Sequence, residues 1–322
     1  MSIFISHTSA LECLRADSIP RNRSLSRSKP SPESVPTRKH IDALDLAVLG
    51  ISETPLHLAV GSTQSRGCSQ LVRCHVWQGP SSAKSFALIA DDLYASSAEA
   101  CFLQLATALA PVELAQVGME FCGSYALDAQ DPNGFRPQLP LTSARALERY
   151  LQKAEGIRGV KQARQALRFI ADNSASPMET IVTLLLCLPN IYGGYGLELP
   201  KLNQTIKMPD EVRATTGRKQ CICDLFWPKA KLAVEYDSDQ WHADTQQISS
   251  DSKRRTALEL AGVTVVTITR GQVYDARAFD ETARALAKRL GKRIRVQCDG
   301  WFAKRFALRT QLLQGVRSSA DI

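Results

Sequence analysis

Apolar and polar positions along this chain change rhythm several times. Between residues 56 and 90 the apolar residues come in short runs cut by Gly, Ser and Pro. L-H-L-A-V (56–60), L-V-R-C-H-V-W (71–77) and F-A-L-I-A (86–90) predict strands. In the middle run Val72, Cys74 and Val76 alternate with Arg73 and His75, which puts His75 on a solvated strand face. From residue 97 the period becomes helical, in S-A-E-A-C-F-L-Q-L-A-T-A-L-A and then P-V-E-L-A-Q-V-G-M-E-F. Pro111 opens the second of these helices, where its missing N–H is no loss. D-A-Q-D-P-N-G-F-R-P-Q-L-P (128–140) reads as a loop. Upstream, residues 4–16 predict a short helix capped by Ser6, Thr8 or Ser9, with Ala10, Leu11 and Leu14 as its apolar stripe.

The second half reads helix, strand, strand, strand, helix, strand. Thr142 is expected to cap a helix to about Glu155, and 158–172 another, with Lys161, Arg164 and Arg168 opposite its apolar face. Ser176 and Pro177 then open a helix that is apolar nearly all round and therefore buried. Glu179 lies in its first turn, where the helix dipole favours an anion. G-G-Y-G-L-E-L-P (193–200) leads into a strand but lacks the strand–GxGxxG–helix setting of a dinucleotide site. Residues 249–261 predict an amphipathic helix with Ala257, Leu258 and Ala261 inward and Asp251, Arg255 and Glu259 paired outside. Gly262 ends it, and V-T-V-V-T-I-T (263–269) follows as a buried strand parallel to an earlier one. Helices over about 279–290 and 301–313 complete the chain.

The sharpest chemical signal lies between the two helices, in C-I-C-D-L-F-W-P-K-A-K-L-A-V-E-Y-D-S-D-Q-W (221–241). Two apolar runs flank a Pro228-Lys229 turn, so Asp224 and Glu235 fall within or at the end of buried strands. A carboxylate out of water is costly unless paired or bound to metal. Two brought together by a hairpin repel, and a divalent cation resolves the repulsion. Glu179 is a further carboxylate able to serve such a centre.

Composition adds direction. At 322 residues two domains are the default, with 44% hydrophobic and 22% charged residues. The division expected is 1–44 (a helix and the basic segment R-N-R-S-L-S-R-S-K-P-S-P-E-S-V-P-T-R-K-H), a smaller α+β domain over 45–141, and an α/β domain over 142–322. A net charge of +8 favours a polyanionic partner. Nine cysteines without a C-x-x-C pair read as buried free thiols in a reducing compartment. No signal peptide or membrane span is seen, so a cytoplasmic protein with no membrane partner is expected.

The order of elements and acids resembles the PD-(D/E)XK, or restriction-endonuclease-like, superfamily. Within it the chain is more similar to the uncharacterised branch close to very-short-patch repair endonucleases. The match is Asp224, ten intervening residues, Glu235-Tyr236-Asp237-Ser238, then His242, then D-S-K-R-R-T-A-L-E-L-A-G-V-T-V-V, over about 158–290. The resemblance implies an αβββαβ core with a mixed sheet and Mg²⁺ (or Mn²⁺) held by Asp224, Glu235 and the Tyr236 carbonyl. It implies Glu179, Asp237, His242 and Lys253 as further catalytic residues, and Lys253, Arg254 and Arg255 facing nucleic acid, with DNA as the expected substrate. Asp237 stands where the superfamily has lysine, and Ser238 where glycine is usual; Lys253 or Arg254 would supply the cation instead. Residues 45–130 resemble more loosely abortive-infection antitoxin-type regulators, on their short strands followed by A-E-A-C-F-L-Q-L-A. This leaves open a non-cleaving regulator that binds DNA, a protein partner or its own copy through the N-terminal half, and a purely structural ion network.

Overall fold

Strand pairing decides the architecture, and the computed structural model describes it for residues 2–19, 31–32, 36–64, 69–80, 85–237, 245–295 and 298–314, with only backbone over 245–251. The elements of the front half are β1 (Ile3–Ile5), α1 (His7–Arg15), α2 (Arg38–Asp42), β2 (Leu56–Val60), β3 (Val72–Val76), β4 (Phe86–Ala90) and β5 (Leu93–Ser96). There follow α3 (Ala98–Leu105), α4 (Pro111–Phe121), β6 (Tyr125–Leu127), β7 (Phe135–Pro137), α5 (Ala144–Gln152) and α6 (Val160–Leu167). The rest comprises α7 (Pro177–Cys187), β8 (Lys201–Lys207), α8 (Asp210–Thr216), β9 (Gln220–Trp227), β10 (Leu232–Asp237), α9 (Thr245–Leu260), β11 (Thr264–Thr269), α10 (Arg270–Tyr274), α11 (Ala276–Arg289) and α12 (Trp301–Gln314). This is an α/β protein, as expected.

Two compact units of similar size result, Met1–Phe121 with Ala126–Asp131 and Pro140–Ile170, and Cys122–Tyr125 with Pro132–Leu139 and Ala171–Ile322. The main division therefore falls near residue 170 rather than 141. Two placements explain the difference. The first residues are built into the first unit's sheet, and α5 and α6 pack with α3 and α4 of that unit.

The first unit holds a five-stranded sheet in the order β3-β2-β1-β5-β4. Its central strand, Ile3–Ile5, overlaps the start of the 4–16 stretch expected to be helical; Phe4 and Ile5 extend, and the helix starts only at His7. β1 runs parallel to β5 and antiparallel to β2, and β2 runs parallel to β3. All three strand expectations of this half hold, while β5, β6 and β7 went unread. The helix expected to start at Thr142 is capped one residue later, by Ser143 accepting from the Ala146 amide, and the Thr142 hydroxyl donates to Glu99. Of the basic segment, residues 21–30 and 33–35 lie outside the described residues.

The second unit carries a four-stranded sheet in the order β11-β10-β9-β8. β8, β9 and β10 are antiparallel neighbours, and β11 returns parallel to β10 after the α9 crossover, as the sequence predicts. α7 buries Ile181, Val182, Leu184, Leu185 and Leu186, each a contribution of about 1.5–3 kcal/mol relative to exposure. Ala257 and Leu258 of α9 pack on Cys221, Cys223 and Ala233 of the sheet. Gly262 ends α9 with φ 76, the left-handed conformation that suits glycine. The glycine pair after α7 permits close packing, since a Cβ on Gly194 would stand 2.0 Å from the Leu188 carbonyl oxygen. The terminal helix α12, read as a basic amphipathic helix, turns its arginines to structural use. Arg305 pairs with Asp280, Arg309 donates to the Val273 carbonyl, and Trp301 Nε1 donates to Gly194 O at 3.2 Å. Among the described residues, no helix is long and apolar enough to cross a membrane. Eight described cysteines are free, seven of them buried.

Candidate active site

The β9–β10 ladder sets the site. Leu232, Ala233 and Val234 pair with Trp227, Phe226 and Leu225. One step further, the same register would bring Glu235 opposite Asp224. There the regular pairing stops, and the Tyr236 amide donates to Asp224 Oδ2 at 2.8 Å instead of to a backbone carbonyl. A side-chain carboxylate thus replaces a rung at the point where the strands part. Glu235 lies on the same face of β10 as Ala233, two residues away, and so faces α9. On α9, Arg254 precedes the packed Ala257 by one turn and reaches Glu235 Oε2 at 2.8 Å.

Glu179 approaches from α7. Ser176 caps that helix, accepting from the Glu179 amide at 3.2 Å, and its hydroxyl donates to Glu179 Oε1 at 3.1 Å. Glu179 Oε2 accepts from the Ala175 amide at 2.9 Å and from Asn203 Nδ2 at 2.6 Å. Asn203 also donates to Asn173 O at 2.8 Å, and both asparagines adopt positive φ. These positioning residues escaped the sequence analysis. Their signal is faint: asparagine is the residue other than glycine most at ease in the left-handed region, but nothing in the β8 pattern marks residue 203 as bent.

Electrostatics ties the acids into one set. Burial first, then the Asp224 charge, pushes Glu235 up to about 7, with Arg254 opposing. Glu179 is likewise pushed up to about 7, by burial first and by Asp224 among the lesser causes, against its amide and side-chain hydrogen bonds. Burial raises Asp224 as well, with the Tyr236 amide and Arg254 opposing. Glu235 Oε1 is buried without a hydrogen-bond partner. An all-oxygen donor set, mutually repelling carboxylates and an orphaned buried oxygen are what a hard divalent cation satisfies. The residues therefore fit Mg²⁺ or Mn²⁺.

The other expected residues divide. Asp237 ends β10, exposed, on the Glu235 face. Lys253 is exposed on α9. Arg254, expected to face phosphate, is instead paired with Glu235. Arg255 points outward to Glu259 at 3.3 Å, the spacing predicted for the solvent face of the helix. His242 lies outside the described residues. His75, expected on a solvated face, is half-buried, with Nε2 3.0 Å from His57 Nδ1.

No protein-family model matches the chain, and no solved structure matches it. Two Mycobacterium tuberculosis proteins, Uncharacterized protein MT2308 and Uncharacterized protein Rv2248, are each 30% identical to it over 122 residues. The match covers 38% of this chain and 40% of each relative.

Proposed function

We propose that the second unit hydrolyses DNA phosphodiester bonds with Mg²⁺ or Mn²⁺, as a nuclease of the restriction-endonuclease-like type. The observation that carries this reading is the meeting of half-buried Asp224 and buried Glu235 where β9 and β10 part, with the buried Glu179 coupled to Asp224. Asp224, Glu235 and the Tyr236 carbonyl would hold the ion. When bound, the ion supplies Lewis-acid stabilisation of phosphoryl charge and a water of lowered pKa. Asp224 keeps its carboxylate aimed by accepting the Tyr236 amide. Glu179, whose carboxylate accepts from the Ala175 amide, the Ser176 hydroxyl and Asn203 Nδ2, adds negative charge without rotameric freedom. Arg254 stands in for the lysine that Asp237 replaces, exchanging its bond to Glu235 for a phosphate oxygen. Lys253 neutralises further phosphate, and His242 orients or deprotonates the attacking water. The chain's charge of +8 suits this substrate.

A second reading is a regulator that binds DNA without cutting it, on the same fold. The Arg254–Glu235 ion pair favours it, because it already neutralises a carboxylate that cleavage needs free. One assay separates the two: incubation of supercoiled and linear DNA with Mg²⁺ or Mn²⁺, comparing wild type with Asp224→Ala. The nuclease reading expects nicking or cutting by wild type only, with DNA retained by both. Retention without cutting in either protein supports the regulator.

A further inference from the structure

Three imidazoles meet in the first unit. His57 lies on β2 and His75 on the parallel strand β3, where Leu58 pairs with Cys74. His7 opens α1 just past β1. The His75 ring stacks on that of His7 with centroids 3.7 Å apart, and lies 4.9 Å from that of His57. One ring nitrogen from each of the three lies within 4.8 Å of the others.

A cavity of about 240 Å³ adjoins them, lined among others by His7, His75, Trp77, Gln104 and Arg158. Gln104 is 6% exposed. Its Oε1 accepts the His7 amide at 3.0 Å, which fixes the orientation of the side-chain amide. Gln104 Nε2 is consequently buried with no hydrogen-bond partner. A buried donor left unmade is destabilising, and an oxygen placed beside it removes the penalty.

We infer that His7, His57 and His75 bind a borderline transition-metal ion such as Zn²⁺, with a fourth position open to the cavity for water or a carboxylate oxygen that accepts from Gln104 Nε2. Imidazole nitrogen suits zinc, copper, nickel and iron, whereas Mg²⁺ takes oxygen. Three protein ligands with one open position is the arrangement of zinc sites that act on a bound oxygen. With Zn–N bonds of about 2.0–2.1 Å, tetrahedral neighbours lie about 3.3 Å apart, and the His57–His75 nitrogens are already 3.0 Å apart. His7 must tilt out of its stack on His75, and the cavity beside both rings gives it room. Arg158 at the cavity makes an anionic oxygen ligand the better fit.

The test is a Co²⁺ titration of the full chain followed by visible absorption, with Zn²⁺ competing. Wild type and the Asp224→Ala/Glu235→Ala variant should both give intense tetrahedral bands that saturate with one ion and that Zn²⁺ abolishes. His57→Gln and His75→Gln alter half-buried residues, and circular dichroism checks their folding. Each should bind at least about 100-fold more weakly, since losing even a partner of a metal ligand lowers affinity by about 10–100-fold. Gln104→Leu should keep the bands but raise the pH at which the spectrum changes as bound water ionises. Absence of tetrahedral bands, equal binding by the His57→Gln and His75→Gln variants, or thiolate charge-transfer bands would overturn the site. An unchanged pH in Gln104→Leu would overturn the role given to Gln104.

Discussion

The two units bury ionisable groups in opposite ways. In the second, Asp224, Glu235 and Glu179 are acids whose charged forms burial disfavours, so their pKa values rise. In the first, His7 and His57 are bases whose charged forms burial disfavours, so their pKa values fall. Burial favours the neutral form in each, but neutrality means different things. A neutral carboxylic acid is a poor metal ligand and must release its proton to solvent when an ion binds, whereas a neutral imidazole is ready to ligate. The acid cluster is therefore strained without a cation and the imidazole cluster is not. The partners differ accordingly: a guanidinium and amides surround the acids, while the histidines lean on one another and on Ser6, whose hydroxyl is 3.1 Å from His7 Nδ1.

The largest effect that sharpens this contrast is on catalysis. Asp224→Ala should lower DNA cleavage about 1000-fold or more, because metal stabilisation of phosphoryl charge is worth several kcal/mol and about 1.4 kcal/mol is a factor of ten. DNA affinity measured in parallel without added metal should change little, because coupling between the ion and DNA then contributes to neither protein. Loss of both together would assign the acid to folding or to binding instead.

The next effect is on stability against pH. Glu235 and Glu179 have folded pKa values of about 7, raised above the ordinary 4.5. Raised acids stabilise the fold fully only below the unfolded pKa, and that contribution is lost as pH climbs from about 4.5 through about 7. At about 1.4 kcal/mol for each tenfold change in proton affinity, the loss is on the order of 3 kcal/mol per group. Urea unfolding of the metal-free protein should thus show the second unit weaker at pH 8 than at pH 5, with Mg²⁺ recovering stability at pH 8. A flat profile would break the contrast.

Asn203→Ala should cost about 1–3 kcal/mol, by leaving Glu179 Oε2 one donor short in a buried site. Thermal melting measures it, and Asn203→Asp should be worse still, because it sets a second carboxylate against Glu179.

The smallest effect concerns the outer face of α9. Arg255→Ala removes an exposed pair with Glu259 and should alter stability by less than about 0.5 kcal/mol. Lys253→Ala should leave stability unchanged and reduce the slope of log affinity for DNA against log salt by about 1. An unchanged slope would remove Lys253 from the DNA-facing residues.

What could be read from the sequence follows the same division. The order of the main elements and the parallel return of β11 were legible because α7, β9, β10 and β11 carry apolar runs and the chain between them is punctuated by Ser176-Pro177, Pro228-Lys229 and Gly262, whereas the short polar helix α8 between β8 and β9 left no such signal. The meeting of Asp224 with Glu235 was legible because a short hairpin forces it. The histidine cluster was not, since residues 7, 57 and 75 come together only through the register of β1, β2 and β3, and alternation along β3 alone put His75 in solvent. β1 is three residues long and merges with the helix behind it, so no periodicity betrays it. Asn203 was hidden for another reason: a single positive φ inside a strand leaves no pattern.

The proposed nuclease chemistry depends on a divalent cation held by the carboxylates at the parting of β9 and β10. Calorimetric titration with Mg²⁺, which imidazoles do not favour, tests it most directly when wild type is compared with Asp224→Ala/Glu235→Ala, with and without DNA. Binding is expected in wild type, strengthened by DNA and abolished in the double variant. Equal binding in both proteins, or none in wild type even with DNA present, would contradict it.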